Sequence, residues 1–420
     1  MDKKRAVERE RHGDKTNTAA FEEALPLIFE RREKSGLEDL LGRMRGVVIQ
    51  VETGNVVSYM AELYLMTPYR FQAAYKTKSH NVYVLTTRPA YPVMFILEPV
   101  SPDYKDKFTA INFQYPRAKE HLNARYLGEI YQTKDLEKTV QILTGEQFRF
   151  QDPEGIVNEF LANPNFSFTQ PSYYTNNIIG YTENDLTDFD SVKIGERFAL
   201  TGEEEAELKK FDSLQRQYGL YDILYGIDHL ATRVLCNDRE DALLEFLSLT
   251  NYYFWGAYNI EDMNSSTNIC RSPYVEAESE MESPAKVFTA NNNPFYTNSI
   301  VNLPSPTEDF VRNFGKRMHH MAYAVEDGEL PDGTKNIDYV VGKLIASDVK
   351  FLENIIGECK DFPDLKQIFS KSSQYSLLIT EYVQRCHGFQ GFFTKGNVAH
   401  LTAAAGLDEA LSKDRPLIHD

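Results

Sequence analysis

Apolar residues in this chain fall into one arrangement that returns four times: a short β-prone run, a polar turn, an amphipathic helix, then further β-prone runs. The first unit is RGVVIQVETGNVVSYMAELYLM, followed by NVYVLTT and VMFILEP. The second is RYLGEIYQTKDLEKTVQIL, followed by EQFRFQD. YGIDHLATRVLCNDREDALLEFLSLT opens the third, with STNICRS and AKVFTA behind it. MHHMAYAVEDG and IDYVVGKLIAS open the fourth, with QIFSK and SLLITEYVQR behind them. Repeated units of this kind suggest duplication, and their irregular period excludes a solenoid. The expected fold is α+β, with the units paired into two sheet-lined halves. Residues 1–45 form a lead-in whose AAFEEALPLIFERREKSGLEDLLGRM has helical spacing. NPNFSFTQPSYYTNN has loop chemistry and reads as the interdomain segment. TGEEEAELKKFDSLQRQYG reads as a solvated acidic helix before the second half. The division is therefore 1–45, 46–214 and 215–420.

Charge narrows the partners. The chain has 420 residues, 62 acidic against 45 basic, and a net charge of −17. Such a surface repels phosphates and anionic lipid, so neither nucleic acid nor membrane is expected. No apolar run reaches the roughly 18 residues of a membrane span. The start, MDKKRAVERERHGDK, has no apolar core of a secretory signal, so a cytoplasmic protein is expected. Cys236, Cys270, Cys359 and Cys386 fit no C-x-x-C or zinc spacing and read as reduced, partly buried thiols. The long lead-in could serve a subunit contact, which leaves a homo-oligomer open.

Three ionisable residues stand inside apolar, β-prone stretches: His229 in GIDHLATRV, His320 in MHHMAYAVED and Glu381 in SLLITEYVQR. A lone ionisable group there is costly unless something compensates it. Strand alternation puts Ile227, His229 and Ala231 on one face, and Glu381 with Ile379 and Val383. It also allows only one of His319 and His320 to point inward, and equivalence with His229 picks His320. The matching strands of the first two units, GVVIQV and YLGEIY, carry no histidine. Two imidazoles and one carboxylate with other positions open suit a non-haem Fe(II) oxygenase. Strand histidines are also commonly hydrogen-bonded core residues, and Arg385 could pair with Glu381. Spacing alone leaves both readings open.

IDHLATRV, HHMAYAVED, LKQIFSK, ITEYVQR and GFFTKGN, in that order, resemble the 4-hydroxyphenylpyruvate dioxygenase family of the vicinal-oxygen-chelate superfamily. The resemblance is clearest over 222–400; residues 46–200 resemble the family's metal-free half in pattern only. It implies four βαβββ modules paired into two open barrels, with the metal in the C-terminal one. It implies Fe(II) held by His229, His320 and Glu381, and Gln367 as an active-site glutamine. Phe369 matches an aromatic that packs on the substrate ring, Asn292 a pocket asparagine, and Thr267 a pocket serine. Phe393 and Asn397 match the loop that gates the site. The family's glutamine-x-glutamine segment is absent, with Ser299 or Ser305 nearest. Val398 stands where the family has a second ring-stacking phenylalanine, which removes about 0.5–1.5 kcal/mol of stacking. The implied activity is that of a dioxygenase taking a small-molecule 2-oxo acid and O₂, decarboxylating and hydroxylating it, with a substrate other than 4-hydroxyphenylpyruvate. Alternatives are a dioxygenase acting on something other than a 2-oxo acid, and a silent binding protein. A zinc hydrolase is disfavoured because no HExxH occurs.

Overall fold

The computed structural model describes residues 12–19, 21–89, 91–152, 157–186, 188–273, 283–294, 305–360, 362–389 and 391–411. Among these, the first sheet-forming strands are β1 (His12–Gly13), β2 (Leu41–Gln50), β3 (Arg70–Lys76), β4 (His80–Thr86), β5 (Val93–Pro99), β6 (Arg125–Thr133), β7 (Ser167–Phe168), β8 (Ile178–Thr182) and β9 (Glu196–Phe198). The rest are β10 (Leu224–Arg233), β11 (Tyr253–Ile260), β12 (Ser265–Arg271), β13 (Ala285–Asn291), β14 (Arg317–Val325), β15 (Asp364–Phe369) and β16 (Ile379–Cys386). One curled sheet runs β7-β8-β6-β2-β5-β4-β3-β9, the other β1-β11-β12-β13-β10-β14-β16-β15. Each sheet is two strand–helix–strands units joined through a central antiparallel pair, β2 with β6 and β10 with β14. The α+β expectation of paired modules holds.

The deviations are local. RFQAAYK and YFWGAYNI form β3 and β11, strands the sequence pattern had not marked. EQFRFQD supplies only one bridge, Phe150 to Thr169. NPNFSFTQPSYYTNN is not an interdomain segment: it contains β7 and leads directly into β8, which pairs in parallel with β6 inside the first sheet. Polar composition identified loop backbone but not the strands it joins.

The described part of the lead-in packs on the C-terminal half of its own chain. β1 pairs in parallel with β11, and a Cβ on Gly13, at φ +79, would lie 1.9 Å from the Ala257 carbonyl oxygen. Glycine is therefore required there by both conformation and approach. The fully buried Arg32, in the helix Ala24–Ser35, donates to the carbonyls of Leu247 (3.0 Å) and Tyr252 (2.8 Å) and pairs with Glu38. Asp14 accepts from the Asn259 backbone (2.7 Å) and meets Lys395 (3.2 Å). Lys395 opens the C-terminal helix Lys395–Leu411.

A correction concerns the cysteines. Cys359 and Cys386 form a disulfide, their Cα atoms 5.6 Å apart, while Cys236 and Cys270 are free thiols. Antiparallel pairing of β15 with β16 folds the loop carrying Cys359 back over the end of β16. Disulfides persist in oxidising surroundings, so cysteine usage no longer argues for the cytoplasm. Among the described residues, no helix is long and apolar enough to cross a membrane.

The halves meet at the helix Val56–Met66, where Tyr382 donates to the Met66 carbonyl at 2.7 Å. Burial there pushes the Glu62 carboxyl up to about 7, against a smaller lowering from its bond with Ser373. A raised carboxyl contributes stability that is complete below its unfolded value and is lost as pH rises through the folded value. Glu62→Gln should abolish that loss. Between pH 5 and 8 its melting temperature should fall less than the wild type's, with a gain on the order of 1–2 kcal/mol at pH 8 after allowing for partial exposure. Parallel melting curves for the two proteins across this range would refute the assignment.

Candidate metal centre

Sheet register places the three ligand-type residues. His229 on β10 faces Ala322 on β14, and Ala322 faces Glu381 on β16, so the three occupy one row across adjacent strands. The small alanine lets the flanking side chains lean together. His320 lies two residues from Ala322 on the middle strand, opposite Ala231 and Ile379. Glu381 Oε2 is 3.0 Å from His229 Nε2 and 3.3 Å from His320 Nε2. One ligand atom from each of the three lies within 4.8 Å of the others, and all three side chains are buried. Adjacent ligands about 2.1 Å from a common cation stand about 3 Å apart. The spacing fits one face of a metal ion.

The surrounding bonds fix the donor atoms. His229 Nδ1 bonds Asp228 Oδ1 at 2.7 Å, which leaves Nε2 facing the focus. That buried Nε2 makes no hydrogen bond, although Oε2 is 3.0 Å away. An orphaned buried nitrogen is costly unless something else occupies its lone pair. Arg385 grips both oxygens of Asp228, with Nη2 to Oδ1 at 3.1 Å, so it does not pair with Glu381. Burial pushes the Asp228 carboxyl up, but Arg385 and then His229 hold it well below the usual range. Burial pushes the His229 imidazole down, and Glu381 and Asp228 more than reverse this, to about 9. The site therefore favours a positive charge. Burial, then His229 and Arg233, keep His320 far below its ordinary value, in the neutral form a ligand needs. Gln367 Nε2 donates to Glu381 Oε1 at 2.6 Å, holding one oxygen and freeing the other.

No protein-family model and no curated protein matches the chain. Among solved structures, a variant of 4-hydroxymandelate synthase from Streptomyces coelicolor superposes with a TM-score of 0.57 at 12% identity, over 87% of this chain and 99% of that one. A xylose isomerase-like TIM barrel/4-hydroxyphenylpyruvate dioxygenase fusion protein gives 0.54 at 15% identity, over 95% of this chain and 60% of the other. The chain thus spans less than two thirds of that fusion protein. The fold is of the 4-hydroxyphenylpyruvate dioxygenase type.

Within this dioxygenase-type fold the metal focus opens on a cavity of about 40 Å³. His320 and Glu381 line it, and so do Gln367, Thr267, Phe369, Phe393 and Val398 of the expected catalytic and substrate residues. Asn292 and Asn397 do not. Asn292 sits in the turn after β13, bonded to Asn259 Oδ1 (2.6 Å) and the Ser265 carbonyl (3.0 Å). Asn397 donates to the Leu365 carbonyl at 2.7 Å and anchors the C-terminal helix. Short amide side chains are satisfied locally in both cases. Ser305 precedes the helix Pro306–Phe314 and does not line the cavity, and Ser299 lies outside the described residues.

Alternation misjudged His319. Ala231 faces His320 but Thr232 faces Met318, so a β-bulge at His319 adds a residue to β14. Both imidazoles line the cavity, their Nδ1 atoms 2.9 Å apart. Sequence reasoning also passed over Asp228 and Arg233. The signal for Arg233 was available, since it shares strand parity with His229 and Ala231.

Equivalent register explains why the described residues of the N-terminal half hold no such centre. There, Gly46 faces Ile130 and Ile130 faces Gly180, as His229, Ala322 and Glu381 do. Gly128 faces Val48 and Ile178, as His320 faces Ala231 and Ile379. All three ligand positions are glycines. Phe95, Phe160, Phe166, Phe168 and Phe189 form the buried cluster on that side of the sheet.

Proposed function

We propose that this chain is a non-haem Fe(II)-dependent dioxygenase that decarboxylates a 2-oxo acid and hydroxylates the remainder of the same molecule. The observation carrying this reading is the convergence of the buried His229, His320 and Glu381 on one face of a common point, beside a cavity that His320 and Glu381 line. A facial two-histidine, one-carboxylate set is the signature of such oxygenases. The two similar structures, a 4-hydroxymandelate synthase variant and a TIM barrel/4-hydroxyphenylpyruvate dioxygenase fusion protein, support it. Bound there, Fe(II) supplies electron transfer to dioxygen and a chelation site for the keto and carboxylate oxygens. The protein's own part is positioning. Asp228 holds the His229 tautomer, Gln367 holds Glu381, and Phe393, Val398 and Leu401 give the cavity an apolar lining. The balance closes without another reductant. The bond to the departing carboxyl carbon breaks and CO₂ leaves; one atom of O₂ enters the new carboxylate and the other the new hydroxyl.

The substrate is other than 4-hydroxyphenylpyruvate. Val398 stands where the resemblance implies a second ring-stacking phenylalanine, which leaves Phe369 as the other half of that stack. Anaerobic titration of the Fe(II) protein with aromatic and aliphatic 2-oxo acids should give a visible charge-transfer band. Aerobic turnover should then release one CO₂ per O₂ consumed. O₂ uptake with no CO₂ from any oxo acid would reject the decarboxylating reaction. Turnover of 4-hydroxyphenylpyruvate alone would reject the substrate assignment.

A further inference from the structure

A second cavity adjoins the metal cavity. It measures about 50 Å³, several times the roughly 10–15 Å³ that one water needs. Phe310, Phe314, Leu352, Leu377, Ile379 and Ala405 make its wall apolar, and no described residue lining it is Asp, Glu, Lys or Arg. Burial is graded along it. Ser372, on its outer side, is exposed; Phe314, Leu352 and Leu377 are half-buried; Phe310, Ile379 and Ala405 are buried. The chamber therefore runs inward from the surface. Three elements each send a residue to both cavities. On the helix Pro306–Phe314, Thr307 lines the metal cavity and Phe310 the chamber. On one face of β16, Glu381 lines the first and Ile379 the second. On the C-terminal helix, Leu401 lines the first and Ala405, about one turn on, the second. His319 on β14 lines both. Its ring centre lies 4.9 Å from that of Phe310, in the chamber wall, and 6.0 Å from that of Phe369, in the metal cavity. Phe369, Ile379, Leu401 and Ala405 form one buried cluster. The two spaces are neighbours with the His319 ring between them.

We infer that this chamber takes up dioxygen and delivers it to the metal focus past the His319 ring. The inference rests on the proposed function and names the entry route of its gaseous substrate. Dioxygen is small and apolar, so its transfer from water to an apolar wall is favourable. Apolar cavities in proteins hold guests of this kind, xenon among them. An anionic oxo acid is excluded, because its carboxylate would lie among hydrocarbon with no cation to offset it. The two substrates then arrive by separate ways, and a bound oxo acid leaves the gas route clear. The inner end is close to the ligands: Ile379 stands two residues before Glu381, roughly 7 Å of strand.

The test uses xenon, an apolar gas that stands in for dioxygen. Crystals of the whole chain under xenon pressure should show the atom among Phe310, Ile379 and Ala405. During turnover of whichever aromatic or aliphatic oxo acid gives the strongest charge-transfer band, xenon pressure should raise the KM for O₂ and leave the affinity for the oxo acid unchanged. Ala405→Leu fills the inner end of the chamber. It should lower kcat/KM for O₂ roughly tenfold, the rate equivalent of crowding one packed position, with Fe(II) stoichiometry and the oxo-acid titration as in the wild type. An empty chamber in xenon-treated wild-type crystals would overturn the inference and leave the function intact, and this experiment needs no variant to fold. An Ala405→Leu protein with unchanged kcat/KM for O₂ would overturn it too, as would one whose oxo-acid affinity falls in step. Absence of O₂ uptake with every oxo acid would instead overturn the functional reading, and this inference with it.

Discussion

Glu381→Ala should abolish Fe(II) retention and O₂ consumption together, while the protein stays folded. Glu381 is the one anionic member of the set, and its Oε2 lies within 3.3 Å of both imidazole nitrogens. Without it, two neutral histidines must hold a divalent cation in a buried site, with no negative charge among the ligands to offset its desolvation. Loss of a supporting hydrogen bond typically costs 10–100-fold in metal affinity, and loss of a charged ligand should cost more than about 100-fold. Gln367 would also lose its acceptor at 2.6 Å. Glu381→Gln separates the causes, because it keeps the volume and removes only the charge; it should bind nearly as little iron. Metal analysis after anaerobic loading and desalting gives the stoichiometry, and an oxygen electrode gives turnover. A Glu381→Ala protein that kept a full equivalent of Fe(II) would remove the metal assignment. One that lost iron but kept its activity would remove the oxygenase reading.

How much of this was legible in the sequence follows from which interactions are local. The first strand and helix of each unit were visible because an apolar run, a polar turn and helical spacing are contiguous in the chain. β3 was hidden by its charged ends, Arg70 and Lys76, and β11 by an unbroken aromatic run that shows no alternation. His229, His320 and Glu381 stood out as ionisable residues in apolar strands, and their register then brought them together. His319 was misplaced because alternation assumes an unbroken ladder, and a bulge is a property of two strands rather than one. The Cys359–Cys386 pair was hidden for a similar reason: only the fold-back of β15 onto β16 makes them neighbours. Asn292 and Asn397 were assigned by resemblance, and each is taken up by nearby groups instead.

Gly128→Ala should be the most damaging small change in the N-terminal half. A Cβ at this position would lie 1.9 Å from the Ile178 carbonyl oxygen and 2.7 Å from its carbonyl carbon, both backbone atoms of the parallel neighbour β8. No rotamer change relieves such a contact, so β6 and β8 must separate in mid-sheet, where each holds the other's hydrogen bonds. The cost should exceed about 4 kcal/mol, the range of the most disruptive single substitutions, or leave the protein insoluble. Gly46 provides the contrast. Its added Cβ would meet only side-chain atoms, Phe95 at 3.2 Å and Ile130 at 3.5 Å, and Gly46→Ala should cost about 1 kcal/mol. Urea denaturation of the two variants beside the wild type gives both values. A Gly128→Ala protein within about 1 kcal/mol of the wild type would show that the strands tolerate a side chain there. The expected ordering has a functional consequence. At the position equivalent to His320, the N-terminal half has traded a ligand for close backbone approach, and aromatic packing fills that side of its sheet. A histidine placed at 128 would meet the same carbonyl, so the metal centre cannot be copied into this half by restoring ligands alone.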